Sequence, residues 1–123
     1  MPTAIKITAG EVEIEAELND TKCAQMIAEA LPIEAEASTW GEEIYFSIEV
    51  DCPEEKPQPT VELGDLGYWG PGSAFCMFFG QTPMSTAEEI RPASPVTVIG
   101  KMHGELGALR GVPSGARVAI ENA

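Results

Sequence analysis

The chain has 123 residues with 20 acidic and seven basic side chains, a formal net charge of −13. This length suits one domain, which we expect to span residues 1–123. A surface with this much negative charge repels phosphate backbones and anionic lipids. We therefore do not expect nucleic acid or membrane surfaces as partners. No apolar run approaches the roughly 20 residues that cross a bilayer, and no export signal is visible at the N-terminus, which favours a cytoplasmic protein.

Apolar alternation at the start of the chain predicts a β-hairpin. Ile5 and Ile7 mark a first strand over residues 3–8, and residues 11–18 alternate strictly after Ala9-Gly10. One face of the second strand carries Val12, Ile14, Ala16 and Leu18, and glutamates occupy the other face. A period of two broken by glycine is typical of a hairpin with one solvated face.

A single amphipathic helix is predicted next. Asn19-Asp20-Thr21 offers side chains that can cap a helix N-terminus, and Pro32 marks the end. The predicted apolar stripe consists of Cys23, Met26, Ile27, Ala30 and Leu31.

The rest of the chain shows short strand patterns separated by glycine and proline. The predicted strands are 33–37, 42–50, 61–63, 67–69, 74–79, 96–102 and 116–121, with short helical turns at 86–90 and 105–109. Prolines lack amide donors, so the proline-rich segment 51–60 is predicted to be a surface loop. We therefore expect a mainly β fold, a closed eight-stranded antiparallel barrel with one helix and one or two helical turns, with a β-sandwich as the alternative.

Three cysteines give no indication of a metal centre. Cys23, Cys52 and Cys76 are widely separated, and the chain has one histidine. We expect reduced thiols, with Cys76 in the core because it lies in an apolar run, and neither a metal nor a cofactor.

Candidate catalytic groups are sparse, and no catalytic residue can be assigned. Glu42-Glu43 and Glu88-Glu89 are carboxylate pairs, but adjacent strand residues point to opposite faces, so Glu42 and Glu43 should not form a dyad. Solvated carboxylates are the favoured interpretation. His103 follows a strand and is expected in a surface turn rather than as a general base. Arg91 is either an anion clamp or a surface ion-pair partner.

Aromatic residues are concentrated in two segments. All eight lie within residues 39–46 and 68–84. Alternation prevents all of them from facing inward, because Phe78 and Phe79 must point to opposite sides. Convergent aromatic side chains with a few polar groups are typical of a small-molecule or peptide pocket. The alternative is a satellite hydrophobic cluster beneath the proline-rich loop.

Four segments carry a resemblance to a known family. They are TWGEEIYF (39–46), GDLGYW (64–69), FFGQTPMS (78–85) and SPVTVIGKMHGEL (94–106). Together they resemble a prokaryotic family of small cyclophilin-like proteins whose biochemical role is unassigned, over nearly the whole chain. The resemblance implies a cyclophilin-type fold, an eight-stranded antiparallel barrel closed by helices.

A weaker similarity extends to the true peptidyl-prolyl isomerases. Residues 45–47 lie where those enzymes have F-H-R, and residues 77–79 lie where they have Q-F-F. The isomerase arginine donates hydrogen bonds toward the proline amide, whereas Ser47 stands here and Met77 replaces the glutamine. A serine cannot supply a cationic fork, so efficient isomerase activity is not expected. Phe79 persists as the groove aromatic.

The first functional hypothesis is therefore a binding module for an unknown small molecule or peptide. Its expected ligand-binding residues form an outer groove with adjoining loops: Trp40, Tyr45, Ser47, Trp69, Met77, Phe79 and Gln81. Two alternatives stay open. One is a peptidyl-prolyl cis-trans isomerase with an atypical active site, and the other is an interaction protein that forms a homodimer through exposed aromatic residues.

Overall fold

A computed structural model of the chain describes residues 3–86 and 89–123. These residues form nine strands: β1 (Thr3–Ala9), β2 (Val12–Leu18), β3 (Ile33–Glu36), β4 (Ser38–Thr39), β5 (Glu43–Ser47), β6 (Asp65–Trp69), β7 (Ala74–Phe78), β8 (Thr97–His103) and β9 (Arg117–Asn122). One α-helix, α1 (Lys22–Ala30), and two 3₁₀ turns, Gly70–Gly72 and Leu106–Gly111, complete the described elements. None of these helices is long and apolar enough to cross a membrane.

The strands form one antiparallel sheet that curves into a nearly closed barrel. Its order is β3-β9-β1-β2-β8-β6-β7-β5-β4. The two edge strands, β3 and β4, are neighbours in sequence on either side of Ala37. Ala37 continues the pairing of β3 with the β9 side of the sheet: its N–H donates to the Ala116 carbonyl at 2.8 Å, and its carbonyl accepts from the Gly115 N–H at 2.7 Å, just before β9 begins. The predicted mainly β antiparallel barrel is confirmed. It has nine strands rather than the predicted eight when β3 and β4 are counted separately.

The first hairpin and the helix form as predicted. Gly10 turns the chain at φ +60°, and the register runs from Thr3↔Leu18 to Ala9↔Val12. The side chain of Thr21 accepts a hydrogen bond from the Ala24 N–H at 3.1 Å, which caps the start of α1.

Some sequence-based boundaries were wrong. Residues 61–63 form no strand: Val61 makes an isolated bridge to Ile90, and Leu63 is exposed before the turn at Gly64, where φ is +92°. The predicted strand 42–50 ends at Ser47, and the short strand β4 was not predicted. The predicted helical turn at 105–109 is the 3₁₀ turn Leu106–Gly111, whereas residues 87–88 of the turn at 86–90 lie outside the described residues.

Alternation along β7 divides the apolar side chains between two clusters. Phe75 and Met77 pack into the barrel interior, where the Phe46 and Phe75 rings stack with centroids 5.3 Å apart. Cys76 and Phe78 face the outside of the barrel. There they join a second cluster that contains Val61, Ala74, Cys76, Phe78 and Val96, with Tyr45, Trp69, Ile90 and Val98 packed against it. The outer face of this part of the sheet is therefore covered rather than solvated.

The prediction of three reduced thiols was wrong for two of them. Cys23 on α1 and Cys52 in the proline-rich loop form a disulfide, with Cα atoms 5.3 Å apart. The loop is held there because the Tyr68 hydroxyl donates to the Val50 carbonyl at 2.7 Å and accepts from the Cys52 N–H at 3.2 Å. This proximity is tertiary, so sequence spacing gave no sign of it. Cys76 is a free, buried cysteine, as predicted.

Candidate functional site

A cavity of about 230 Å³ lies on the outer face of the sheet beside the second cluster. Its wall comes from the β4–β5 turn, from β5, β6 and β7, and from the segment that leads into β8. The lining residues are Trp40, Glu43, Tyr45, Trp69, Cys76, Pro92, Ala93 and Val96. The two tryptophans and the tyrosine are half-buried, so each ring presents part of its surface to the cavity.

Glu43 is the buried carboxyl group of this cavity. Strand alternation on β5 sends Ile44 and Phe46 into the barrel and Glu43 and Tyr45 to the cavity side. Glu43 is only 5% exposed. Burial raises the pKa of Glu43 to about 7, and a hydrogen bond from the Cys76 thiol acts in the opposite direction. Near neutral pH this carboxyl therefore exists in both forms, as a donor when protonated and as an acceptor only when ionised.

Cys76 supports Glu43 rather than offering a nucleophile. Burial, and then the negative charge of Glu43, raise the pKa of the Cys76 thiol well above its usual value. The thiolate is the reactive form of cysteine, so this side chain stays an S–H group at neutral pH. The thiol is a weak donor beside the Glu43 carboxyl, and its Sγ also lies 3.9 Å from the Ala74 carbonyl oxygen.

The turn before β5 fixes the position of Trp40 and Glu43. The Trp40 N–H donates to the Glu43 carbonyl at 3.0 Å. Between them Gly41 has φ +62°, and a Cβ atom there would lie 2.8 Å from Pro83 Cδ and 2.9 Å from the Gln81 carbonyl oxygen. Only glycine combines this backbone conformation with so close an approach. The turn is therefore pressed against residues 81–83.

Neighbouring Glu42 has a separate environment. It forms an ion pair with Arg110, and the hydrogen bond from that guanidinium holds the pKa of Glu42 below its ordinary value. Glu42 and Glu43 thus point to different partners, and their pKa values move in opposite directions. Solvated surface carboxylates were the favoured interpretation of this pair, and that interpretation was wrong for Glu43.

Trp69 is held from two sides. Its indole Nε1–H donates to the Ser94 hydroxyl, which ties β6 to the segment before β8. The same ring lies over Gly72, where a Cβ atom would come within 2.8 Å of Trp69 Cζ3. The ring orientation is consequently set by the protein and needs no ligand to define it.

The structure brings together three of the seven expected ligand-binding residues, Trp40, Tyr45 and Trp69. Met77 and Phe79 do not join them, because they are buried in the barrel interior, 0% and 4% exposed. Alternation on β7 puts Cys76, not Met77, on the cavity side.

Ser47 and Gln81 are also away from the cavity wall. The Ser47 hydroxyl donates to the Gly72 carbonyl at 3.0 Å, and the Gln81 side-chain amide donates to the Thr86 carbonyl at 2.7 Å; both residues are exposed. Sequence analysis missed the cavity role of Glu43, although its period-two relation to Tyr45 could have shown it.

The remaining candidates lie on the surface. An Arg91 guanidinium nitrogen lies 3.1 Å from a Glu89 carboxylate oxygen, and both side chains are partly exposed. Arg91 is therefore a surface ion-pair partner, one of the two roles expected for it. His103 is exposed at the end of β8. Over residues 3–86 and 89–123 no three His, Cys, Asp or Glu side chains are grouped as a metal site would require. Glu88 lies outside the described residues.

Comparison with known proteins decides the family. The model of a family described as cyclophilin-like matches residues 3–121. The chain belongs to the cyclophilin-like family. A relative of known structure, the hypothetical protein AF2241 from Archaeoglobus fulgidus, is 42% identical with a TM-score of 0.84, over 99% of this chain and 95% of that one. The resemblance seen in the sequence is thereby confirmed.

More distant similarity concerns the fold alone. McbB, solved in complex with tryptophan, is 12% identical with a TM-score of 0.70. The alignment covers 96% of this cyclophilin-like chain and 44% of McbB. No curated protein matches the chain significantly.

Proposed function

We propose that this cyclophilin-like domain is a binding module for a small organic molecule of one or two rings. The observation that carries the proposal is the cavity in which Trp40, Tyr45 and Trp69 surround the buried carboxyl of Glu43. An apolar cavity of about 150 Å³ holds benzene. A volume of about 230 Å³ therefore suits a slightly larger body.

The polar group inside the cavity supports a binding role over a purely structural one. Desolvating a carboxyl group costs free energy, which a tightly packed apolar cluster would avoid. The cost is visible in Glu43, whose pKa burial raises to about 7. Perturbed carboxyl groups in aromatic clefts are typical of binding and active sites. Rigid rings, with Trp69 held by Ser94, lower the entropy cost of binding.

Two positions, 47 and 77, correspond to the arginine and the glutamine of the peptidyl-prolyl isomerases, and their side chains support binding rather than proline isomerisation. Ser47, in the place of the arginine, is exposed and bonded to the Gly72 carbonyl, and Met77 is fully buried in the barrel. Neither side chain can polarise a bound amide as the guanidinium does. A peptide could still place one side chain in the cavity, so small peptides belong among the test compounds.

The experiment is a fragment screen followed by a blocking variant. Intrinsic tryptophan fluorescence of the protein is titrated with one- and two-ring fragments and short peptides, and binders are tested on Ala93→Phe, which adds a ring to the cavity wall. Leu63→Phe adds the same ring at a position that is 55% exposed and outside the cavity wall. We expect binding to be lost in Ala93→Phe and kept in Leu63→Phe. If no compound binds, or if both variants bind alike, the proposal is wrong.

A further inference from the structure

The ionisable side chains that line the cavity include an acid and no base. Glu43 contributes a carboxyl group, and none of the lining residues is lysine, arginine or histidine. Four basic side chains of the described chain pair with acidic residues elsewhere: Arg91 with Glu89, Arg110 with Glu42, Arg117 with Glu34, and Lys101 with Asp65. Within residues 3–86 and 89–123, no basic side chain lines the cavity wall to balance an ionised Glu43.

The aromatic walls favour the same sign of ligand charge. The face of an indole or phenol ring carries negative potential and attracts ammonium groups, most strongly when water is excluded. Trp40, Tyr45 and Trp69 line the same cavity as Glu43. A net charge of −13 adds a long-range attraction for cations over the whole surface. The carboxyl group, the ring faces and the net charge all disfavour the binding of anionic ligands.

We infer that the ligand is a compact organic cation, an amine attached to one or two rings, whose N–H group donates to the Glu43 carboxylate between Trp40 and Trp69. This inference rests on the proposed function and adds the charge and the hydrogen-bonding group of the ligand. The apolar part of the ligand packs against Pro92, Ala93 and Val96.

The geometry also gives the pH dependence. The titratable groups that face Glu43 are Tyr45 from its own strand and Cys76 from β7, and the segment 92–96 contributes none. Cys76 remains a neutral thiol because its pKa is raised. Glu43 is the group whose charge changes near pH 7. Alkylamines stay protonated up to about pH 10, so amine affinity should rise between pH 6 and pH 8 as Glu43 ionises.

Matched probes separate charge from shape. Phenethylamine and 2-phenylethanol have the same ring and chain but differ in the terminal group. Calorimetry or ligand-observed NMR at pH 8 measures their Kd for the wild type, for Glu43→Gln and for Glu42→Gln. A charge-assisted hydrogen bond corresponds to about a tenfold preference or more for the amine. We expect that preference in the wild type and in Glu42→Gln, and its disappearance in Glu43→Gln, where the amine and the alcohol should bind with similar affinity.

Each other result refutes the inference in a distinct way. If the alcohol binds the wild type as tightly as the amine, the site takes neutral ligands, and the proposed binding function stands without the cation. The same conclusion holds if only acidic or neutral fragments bind. An amine preference that survives in Glu43→Gln moves the charge contact to another residue. If no fragment binds, the proposed function itself fails.

Discussion

Replacing Glu43 by glutamine tests the burial of this carboxyl group without any ligand. In the folded protein burial raises the pKa of Glu43 from 4.5 to about 7, so the folded state holds its proton more tightly than the unfolded chain does. Between these two pH values the folded state binds more protons, and the free energy of unfolding falls as pH rises. The stabilising contribution of Glu43 is complete below the unfolded pKa and is lost above the folded one.

The two pKa values set the size of the effect. A tenfold change in proton affinity is worth about 1.4 kcal/mol, so the full difference for Glu43 is about 3 kcal/mol. Between pH 5 and pH 8 the wild type should lose about 2.5 kcal/mol from this group alone. Glutamine resembles the protonated carboxyl in shape and does not titrate. Relative to the wild type, Glu43→Gln should therefore gain about 2.5 kcal/mol over this range.

Urea unfolding at pH 5, 6, 7 and 8, followed by tryptophan fluorescence, measures the difference between variant and wild type at each pH. Subtracting the two curves removes contributions from other titrating groups and from the net charge. Glu42→Gln is the matched control, because Arg110 lowers the pKa of Glu42 and both its folded and unfolded values lie below this range. A difference for Glu43→Gln that stays constant from pH 5 to pH 8 would refute the burial argument.

Three further predictions concern stability. Replacing Cys23 and Cys52 by alanine opens a loop of 29 residues and should cost about 3 to 4 kcal/mol in urea unfolding, and a reductant should then lower the stability of the wild type alone. Gly41→Ala should cost about 1 kcal/mol or more, seen as a lower Tm, because the residue has φ +62° and no room for a Cβ atom; Gly104→Ala, with φ +95° but open space, should cost less. Tyr68→Phe should cost about 1 to 3 kcal/mol, since its hydroxyl makes two backbone hydrogen bonds; a loss under 0.5 kcal/mol would contradict this.

The barrel was predictable from sequence because its strands have one face in the core. The alternation of residues 11–18 appears in the structure as strand β2, with buried Ile14 and Leu18 and exposed glutamates between them. The cap at Thr21 and the stop at Pro32 set the helix limits to within a residue. The strand predicted at residues 61–63 was wrong because the alternating pattern there is only three residues long. A pattern of that length does not distinguish a strand from an extended loop.

The candidate site was harder to predict because it depends on chain segments distant in sequence. Met77 and Cys76 are adjacent, and only the pairing of β7 with β5 shows which of them shares a face with Tyr45. The segment 92–96 carries no periodic pattern, yet it closes one side of the cavity. The disulfide was not predicted for the same reason, since α1 and the proline-rich loop come together only in the tertiary structure.

The aromatic segments contribute to two adjoining features outside the sheet, a cavity and a satellite hydrophobic cluster. Phe78 and Val96 pack tightly outside the sheet, and Val96 also borders the cavity. The cluster packs β7 against the segment 92–96, and both contribute to the cavity wall. The cavity persists beside the cluster because Glu43 occupies a position where an apolar side chain would extend the packing. A carboxyl group at that one position thus places a titratable hydrogen-bonding group beside a structural cluster, and the proposed binding function depends on that group.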